Sequence, residues 1–531
     1  MQSHSIRALL VYPRFSGSSF WNYRETCEVI GAKHPAPPLG LITVAALLPS
    51  SWDVRLVDRN IDDLHASDLD WADLILTGGM LPQQADTLAI VELAHGQGKP
   101  VVVGGPDVTS SPSLYASADF RVLGEAEGVM DDVVAAYVAG QPNGVFTSPK
   151  FQVDVTRSPI PRFDLLNFDH YVQVGVQFSR GCPFTCEFCD IIELYGRKPR
   201  AKTNAQMLAE LDRLYQLGYR GHVDFVDDNL IGNKKAVKAF LPAMGEWQER
   251  KGYPFEFSTE ASLNLADDAE LLEMMKAAAF FAVFIGIESP DAAVLIATGK
   301  KQNTRGDIAD SIARIYQAGM FVLAGFIVGF DDERGDIAEP MIRLIEDAAI
   351  PVCMVGLLYA LPNTRLTRRL TQEGRLFSGH DVDAPSEGSA DQCTSGLNFV
   401  TRRPRKDVLG DYRRVIEEVY RPERYFGRVE RMASALKLDG PSGSLHLASF
   451  GKDLRQFARL LWRVPRRLPG AKRYFWASLL RCVLANPRSI KPVLKVLALY
   501  IHLGAFAQVV EREIARQIRE EGERSATAKA D

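Results

Sequence analysis

Short apolar runs alternate with amphipathic stretches over residues 1–145 of this 531-residue chain, a range we call the N-terminal segment. Short apolar runs predict strands, and stretches with a period near 3.6 predict helices. Their alternation indicates a doubly wound α/β domain, in which helices cover both faces of a parallel sheet. The predicted strands are Arg7–Pro13, Asp53–Asp58, Asp73–Gly79, Pro100–Gly105 and Phe120–Gly124, with helices such as Leu39–Leu48 and Ala85–His95 between them.

Six more strand–helix units follow in residues 166–395, the central segment. Consecutive units with strands rich in Val, Ile and Phe predict a partial (β/α)6 barrel of the TIM type, whose active site lies at the carboxyl ends of its strands. The predicted strands are Val172–Ser179, His222–Asp227, Phe255–Thr259, Ala282–Ile287, Phe321–Val328 and Val352–Tyr359, and the helices include Ala205–Leu217, Ala269–Ala278 and Asp307–Ala318.

Residues 396–531, the C-terminal segment, contain few glycines and have helical periodicity throughout, which predicts a mostly helical domain. Between residues 451 and 500, twelve Lys or Arg stand against one acid, Asp453, and Trp, Phe and Leu are interleaved with them. The polar end of the chain, residues 511–531, is expected to fray.

The composition and charge of the chain reduce the number of protein classes to which it can belong. The net charge of −4 is unlike that of a general polyanion binder, so no nucleic-acid partner is expected. Seven cysteines, three of them clustered, do not suggest a disulfide framework and favour a reducing cytoplasm. The first apolar run, Ala8–Tyr12, is too short for a secretory signal. No run reaches the roughly 18 uninterrupted apolar residues of a membrane span; the nearest, Val493–Val510, is interrupted by Lys495, His502 and Gln508.

The strongest chemical signal is the C-x-x-x-C-x-x-C motif of Cys182, Cys186 and Cys189, on the loop after the first predicted barrel strand. Three nearby thiolates can converge on one soft metal centre. Three protein ligands favour a four-iron cluster with one iron left open for a small molecule. The alternative is a structural zinc site, which would need a distant fourth ligand such as His170 or His222.

This motif resembles that of the radical S-adenosylmethionine (SAM) superfamily, with Phe188 as the aromatic residue before the last cysteine. The resemblance implies reductive cleavage of SAM to a 5′-deoxyadenosyl radical, an external electron donor of the flavodoxin or ferredoxin type, and no catalytic residue beyond the cofactor ligands. Asn363 replaces the glycine of a turn that relatives carry, so it receives no role. The residues expected to contact SAM are Phe188, Asp227, Asp228, Glu260, Glu288 and Gly325.

The carboxylates of Asp227 and Glu288 have a second interpretation, as solvated strand ends or helix caps. Their positions at the carboxyl ends of predicted barrel strands favour a role in the site.

The N-terminal segment resembles the cobalamin-binding domain of class B radical SAM enzymes, and its Gly124-Glu125 is similar to the element that ends that domain. Glycines at strand ends let a large flat ligand approach the backbone. The D-x-H-x-x-G motif that supplies a histidine to cobalt is absent, because Asn60 follows Asp58-Arg59 where the histidine would stand, so we expect no histidine ligand. The expected cobalamin contacts are Gly78, Gly79, Met80, Gly104, Gly105, Gly124 and Glu125.

Two alternatives to this cobalamin site stay open. The glycines are ordinary tight turns, or the whole segment is a degenerate doubly wound domain that binds nothing.

The C-terminal segment resembles an extra domain of cobalamin-dependent radical SAM methylases, including those that methylate hopanoid lipids. This resemblance implies methyl transfer to an unactivated carbon of a lipid-like substrate, such as C-2 of a hopanoid, by a cytoplasmic enzyme that contacts the inner face of the membrane peripherally. Basic residues interleaved with Trp462, Phe475 and Trp476 suit an anionic membrane surface. The alternative is a solvated basic face that covers the barrel mouth.

Two other functions remain open on the sequence. One is a cobalamin-dependent radical SAM cyclase or ring-rearranging enzyme without methyl transfer, and the other is a non-enzymatic, membrane-associated cobalamin or redox sensor.

Overall fold

Six parallel strands form the N-terminal sheet in the computed structural model, which describes residues 5–15, 19–377, 393–439, 458–468 and 470–527. They lie in the order β2-β1-β3-β4-β5-β6, so the strand order reverses beside β1, as in doubly wound sheets. The sixth strand was not predicted, since it is a short edge strand whose Val145 is exposed. The strands are β1 (Arg7–Tyr12), β2 (Asp53–Asp58), β3 (Leu74–Gly78), β4 (Val101–Gly104), β5 (Phe120–Leu123) and β6 (Gly144–Thr147).

Helices cover both faces of this sheet, which confirms the doubly wound prediction. One face packs against α2 (Leu39–Leu47) and α6 (Met130–Val138). The other packs against α3 (Ala66–Trp71), α4 (Gln84–Gly96) and α5 (Pro106–Ser110). Consecutive strand side chains point to opposite faces, so a sheet covered on both sides needs continuous apolar runs such as the three valines of β4.

The second sheet is a curled, six-stranded parallel half-barrel, as predicted. Its strand order is β14-β13-β12-β11-β10-β7, and a two-stranded hairpin, β8 (Ser179–Arg180) and β9 (Arg200–Ala201), leaves the end of β7. The barrel strands are β7 (Gln173–Val176), β10 (Gly221–Phe225), β11 (Phe255–Ala261), β12 (Phe280–Glu288), β13 (Phe321–Val328) and β14 (Val352–Leu357).

The barrel helices pack outside this sheet on the alternate, apolar positions of the strands. Phe225 of β10 and Phe257 of β11 belong to this core, with ring centroids 5.5 Å apart, while the intervening side chains face the barrel interior. The helices are α7 (Ile191–Leu194), α8 (Asn204–Gln216), α9 (Lys234–Lys251), α10 (Ala269–Ala277), α11 (Ala292–Ala297), α12 (Ile308–Gln317), α13 (Ala338–Asp347) and α14 (Arg365–Gln372).

The C-terminal segment is helical in the residues that the structure describes. Its helices are α15 (Arg405–Val419), α16 (Pro422–Ala435), α17 (residues 458–467), α18 (Lys472–Ala485) and α19 (Ile490–Thr527). α19 packs against α15 and also against α1 (Arg24–Ile30) of the N-terminal segment. Residues 511–531 were expected to fray. α19 continues through residue 527, and Gln517 donates to the carbonyl of Thr394 (2.7 Å) while Glu511 pairs with Arg413 (3.0 Å), so its part up to Gln517 is held by contacts; residues 528–531 lie outside the described residues.

One helix among the described residues, Pro487–Glu523, is long and apolar enough to cross a membrane, with a mean hydropathy of 1.8 over its most apolar 18 residues. The sequence analysis named Val493–Val510, which lies inside this helix, as the nearest candidate but excluded it because it required an uninterrupted apolar run. Of those 18 residues, 67% are buried inside the protein. Packing against the barrel and α1 therefore accounts for this apolar composition.

Candidate active site

A single cavity of about 2990 Å³ lies between the N-terminal sheet and the half-barrel. It is lined by the carboxyl ends of β1, β3, β4 and β5, by interior side chains of β10, β11 and β12, and by α19. All seven predicted cobalamin contacts line this cavity, namely Gly78, Gly79, Met80, Gly104, Gly105, Gly124 and Glu125. The structure thus places these residues on one wall, facing the barrel.

This wall is built of backbone, and its close spacing requires glycine. A Cβ atom on Gly78 would lie 2.0 Å from the carbonyl oxygen of Gly104, and Gly105 has a φ of 96°, which side chains other than glycine rarely adopt. These glycines therefore form tight turns and also a smooth wall. The interpretation of the glycines as ordinary tight turns is thus compatible with their interpretation as cobalamin contacts.

Glu125 connects the two halves of the molecule. Its carboxylate accepts from Arg180 (3.1 Å) and Arg200 (2.8 Å), both of the β8–β9 hairpin. Glu127 binds the same Arg180, and although burial alone would raise its pKa, this arginine lowers the pKa to about 2. Arg180 lies two residues before Cys182, so these carboxylates anchor the cysteine loop to the N-terminal segment. A contact between Glu125 and cobalamin remains a prediction.

Asn60 is fully engaged within the N-terminal segment. Its side chain donates to the carbonyl of Pro13 (3.0 Å) and to Asp58 (2.8 Å), and it accepts from the backbone N–H of Phe15 (2.9 Å). The amide thus holds the loop after β1 in place, a role that a cobalt-binding histidine could not fill.

Two aspartates at the end of β10 shape the loop that carries the cysteines. Asp227 is buried and accepts from the backbone N–H groups of Phe178 (2.9 Å) and Ser179 (2.5 Å), and Asp228 accepts from that of Gly181 (3.0 Å). Burial raises the pKa of Asp227 to about 7 and that of Asp228 to about 6. Both carboxylates position the loop, and their predicted contact with SAM remains a prediction.

The three motif cysteines follow on this loop as free thiols, with Cys186 buried and Cys182 and Cys189 half-buried. Burial raises the pKa of each thiol, that of Cys189 most strongly, while the nearby Lys300 ammonium favours the thiolates of Cys182 and Cys186. Soft thiolates near a fixed positive charge fit an iron–sulfur cluster, whose iron replaces the thiol protons.

A single zinc ion fits these residues less well. A tetrahedral zinc site has Zn–S bonds of about 2.3 Å, which hold its ligands close together. No group of three or more His, Cys, Asp or Glu side chains among the described residues is arranged to hold one ion. His222 instead bonds to Ser258 inside the barrel, and His170 bonds to Asn167.

A buried ion pair lies beside the cysteine loop. Glu288 ends β12 and pairs with Lys300, whose ammonium lies 5.9 Å from the ring centroid of Phe188. Glu288 has a φ of 70°, a left-handed conformation that costs about 1–3 kcal/mol, and β12 carries an irregularity there. Gly325 lies on the neighbouring strand β13, where a Cβ atom added to it would be 3.9 Å from Glu288 Oε2. Phe188, Glu288 and Gly325 are therefore neighbours, as their predicted SAM contacts require.

Glu260 lies apart from this pair, on the cavity wall at the end of β11. Water reaches its side chain, but the surrounding protein and the carboxylates of Asp224, Asp228 and Asp227 raise its pKa to about 8. Glu260 is thus largely protonated at neutral pH and can donate a hydrogen bond into the cavity.

The sequence analysis missed several polar residues of the cavity and its surroundings. No sequence motif marks Lys300 as a residue of the site. His222 was named only as a possible zinc ligand and Ser258 was not named, although each lies on the strand positions that alternate with buried apolar residues, a pattern that indicates an inward-facing side chain. Lys491 and Lys495 come from α19, and only the tertiary structure shows that they enter the barrel, where both pair with Glu256. Asn363 has a φ of 61°, which explains why it can replace a glycine.

Three family models match the chain in succession. They are the B12 binding domain over residues 28–134, the Radical SAM superfamily over 176–345, and a domain of unknown function, DUF4070, over 364–516.

Two relatives match almost the whole chain. An uncharacterized methyltransferase of Synechocystis is 43% identical over 523 residues, which cover 97% of this chain and 94% of the relative. The hopanoid C-2 methylase of Rhodopseudomonas palustris is 34% identical over 517 residues, which cover 96% of this chain and 95% of the relative.

Two solved structures share the fold. The cobalamin-dependent SAM radical enzyme OxsB, with aqua-cobalamin and SAM bound, has a TM-score of 0.60 at 14% identity and covers 98% of this chain and 81% of its own. The radical SAM methyltransferase TsrM of Kitasatospora setae, with cobalamin and a [4Fe-4S] cluster bound, has a TM-score of 0.56 at 16% identity, covering 71% of this chain and 77% of its own.

Proposed function

The chain belongs to the class B, cobalamin-dependent radical SAM family and is a methyltransferase that uses a [4Fe-4S] cluster, SAM and cobalamin; we propose that it methylates an unactivated ring carbon of a hopanoid-type lipid, at the C-2 position. The single observation that supports this substrate most is the 34% identity to a hopanoid C-2 methylase over 96% of the chain. The non-enzymatic sensor alternative is wrong. The two methyltransferases reported above match almost the whole chain, which favours methyl transfer over the cyclase alternative.

We assign the three cysteines to the cluster, the neighbourhood of Glu288 and Lys300 to SAM, and the glycine wall to cobalamin. When bound, the cluster and SAM supply hydrogen-atom abstraction, and cobalamin supplies methyl transfer. The glycine wall assigned to cobalamin lines the cavity, whereas the residues assigned to the cluster and SAM lie at the carboxyl ends of the barrel strands, outside that lining, and the ion pairs of Arg180 join the two halves of the molecule. Apolar walls, which include Trp21, Phe284 and Leu323, exclude water from the reacting carbon.

A large apolar cavity suits this substrate. A hydrocarbon ring has no acidic proton and no nucleophile, so a radical route is the one that installs a methyl group on it. The cavity is far larger than the few hundred to about 1,000 Å³ of ordinary ligand pockets, which leaves room for cobalamin and a lipid together.

We further propose that a surface of α17 and α18 rests on the membrane that contains this lipid. Its exposed apolar side chains are Trp462, Trp476, Leu480 and Leu484, the last three spaced four residues apart on one face of α18. Leu460, on the inner side of α17, lines the cavity. A bilayer docked here would thus lie beside the cavity wall.

One residue predicted for this surface does not belong to it. Phe475 is fully buried in the core, because it lies on the inner side of α18, so its prediction as an interface anchor is wrong. Arg463 and Arg467 bind Glu28 of α1. Replacing these two arginines by acidic residues would therefore disturb the fold as well as membrane binding. The Arg466 guanidinium stacks on the Trp462 ring at 3.3 Å and remains available to head groups.

The substrate is tested by anaerobic reconstitution with SAM, cobalamin, a reductant and a hopanoid. We expect 5′-deoxyadenosine, S-adenosylhomocysteine and a product heavier by one methylene unit, with the methyl group at C-2. A product of unchanged mass or a methyl group at another carbon would contradict the proposal.

Membrane docking is tested by co-sedimentation with anionic liposomes at low and high salt. We expect binding that salt weakens, at about 1 kcal/mol per basic residue near the surface, and that Leu480→Glu with Leu484→Glu abolishes. Val138→Glu, at an equally exposed apolar position of the N-terminal segment, is the matched control and should bind normally. Wild-type protein that stays in the supernatant at low salt would refute the docking surface.

A further inference from the structure

A polar cluster lies inside the barrel on β10 and β11, with His222 and Glu256 at the amino ends of these two strands. Its members line the cavity and belong to no cofactor site assigned above. We call it the barrel-floor cluster, and its members are His222, Asp224, Glu256, Ser258, Lys491 and Lys495.

The strand register explains how these side chains meet. His222 and Asp224 alternate along β10, and Glu256 and Ser258 alternate along β11, so all four face the barrel interior. His222 lies opposite Glu256, and Asp224 lies opposite Ser258. α19 adds Lys491, 2.8 Å from Glu256, and Lys495, whose ammonium also lies 3.9 Å from the Phe281 ring centroid.

The hydrogen bonds of the cluster have a fixed direction. The Ser258 hydroxyl donates to the Asp224 carboxylate, so its oxygen accepts from Nε2 of His222 (2.6 Å). Burial and the nearby Lys495 lower the pKa of His222 to about 3, which keeps the ring neutral. A neutral ring that donates through Nε2 has a free lone pair on Nδ1.

Nδ1 of His222 makes no hydrogen bond with any residue in the described part of the chain, although the ring lines the cavity. It therefore offers an acceptor to a ligand. Two carboxylates and two ammonium groups lie around it: Glu256 pairs with both Lys491 and Lys495, and Asp224 accepts from Ser258 and Gln173. A neutral hydroxyl, which both donates and accepts, suits such surroundings better than a carboxylate or an ammonium group.

We propose that the barrel-floor cluster binds a hydroxyl-bearing end of the lipid substrate, with His222 Nδ1 accepting from that hydroxyl. The apolar body of the lipid lies along Phe281, Phe284 and Leu499, and its reacting carbon lies at the carboxyl ends of the strands. Val226, which follows the last residue of β10 and lines the cavity, is four residues beyond His222, so the polar end and the reacting carbon are about 13 Å apart at about 3.3 Å per residue. This inference rests on the proposed function, because it takes a lipid as the substrate.

The test measures equilibrium binding of two lipids to the reconstituted holoenzyme without reductant. The lipids share one pentacyclic hydrocarbon skeleton, and one of them carries a hydroxylated side chain. We expect the wild type to bind the hydroxylated lipid at least about fivefold more tightly, the equivalent of one net hydrogen bond. His222→Phe and Ser258→Ala should lose this preference and still bind the hydrocarbon as the wild type does.

His222→Gln, which retains a side-chain acceptor, should restore part of the preference, and His65→Phe, on the exposed start of the N-terminal helix α3, should leave it unchanged. Unchanged hydrocarbon binding and iron content show that each variant is folded. Equal binding of both lipids by the wild type, or a preference that persists in His222→Phe, would overturn the inference. Because no turnover is needed, a hydroxylated lipid that binds as expected but is never methylated would refute the proposed function instead.

Discussion

The two walls of the cavity are built from different parts of the polypeptide. The N-terminal wall is backbone, in which glycines such as Gly78 and Gly105 bring main chain against main chain. The barrel wall is made of side chains, among them Glu260, His222 and Lys495, while the three thiols and the Glu288–Lys300 pair lie outside the lining of the cavity. A backbone wall recognises a broad flat ligand by shape, whereas a side-chain wall supplies charge and hydrogen bonds, and the metal ligands lie beyond it on the cysteine loop. The predictions below separate these two modes.

Loss of one thiol should have the largest effect. Replacing Cys182, Cys186 or Cys189 by Ala removes a ligand of the cluster, so we expect loss of the cluster and of all SAM cleavage, measured as iron content and 5′-deoxyadenosine. The lone buried cysteines should be dispensable for iron binding, and each replaced by Ala serves as a control, namely Cys27, Cys353, Cys393 and Cys482. Full iron content in Cys186→Ala would disprove the assignment.

Damage to the backbone wall should affect cobalamin and leave the cluster intact. Met80 is 46% exposed on this wall, so Met80→Glu tolerates the new side chain but places a carboxylate against the ligand. We expect cobalamin affinity to fall at least about tenfold, measured by absorbance titration, with unchanged iron content. Gly78→Ala should have the same effect through its clash with Gly104, whereas Gly96→Ala, with no atom near its Cβ, is the control. Normal cobalamin binding by both wall variants would show that this wall is not the cobalamin site.

Protonation of the side-chain wall should make stability depend on pH. The raised pKa of Glu260, about 8, means that the folded state holds a proton that the unfolded state releases near its ordinary value of 4.5. The contribution of this group to stability therefore falls as the pH rises between these two values. In Glu260→Gln, we expect the melting temperature to fall less steeply from pH 6 to pH 8 than in the wild type, and Asp62→Asn, at an exposed position, is the control. Parallel wild-type and Glu260→Gln curves would contradict the assigned pKa.

The subtlest prediction concerns the lower face of cobalamin. We expect no histidine ligand, because Asn60 replaces it, so cob(II)alamin should show no superhyperfine coupling to a protein nitrogen in electron paramagnetic resonance. Cob(II)inamide, which lacks the nucleotide base, excludes the nitrogen of the cofactor itself. The histidines that line the cavity within the described residues are His34 and His222. Splitting that disappears in His34→Ala would identify a ligand that the sequence analysis overlooked.

Local patterns were sufficient for much of this molecule. The sequence located β2 and β13 to the residue: β13 is a continuous apolar run, as a buried parallel strand needs, whereas the edge strand β2 alternates apolar with polar positions. The cysteine spacing identified the cluster motif, since all three ligands lie on one loop. The missed edge strand β6 has the weak, half-exposed pattern that a buried-strand criterion rejects.

Contacts between distant residues were decided by the tertiary structure alone. Asp227 and Glu125 were expected as cofactor contacts from their positions, yet their carboxylates bind the cysteine loop and the arginines beside it. The sequence shows which chemical group lies at a strand end. It does not show which residue, 48 or more positions away, binds that group in the folded protein.

The sequence by itself determined the strand–helix order, the cluster motif and the glycine turns, because each depends on residues within a few positions of one another. The tertiary structure decided which charges face the cavity, that Phe475 is buried, and that α19 brings Lys491 and Lys495 to Glu256, 239 residues away from Lys495. The physical reason is that helical periodicity marks an apolar face but carries no information about what that face packs against, and the packing of α19 into the barrel depends on the shape of both elements together.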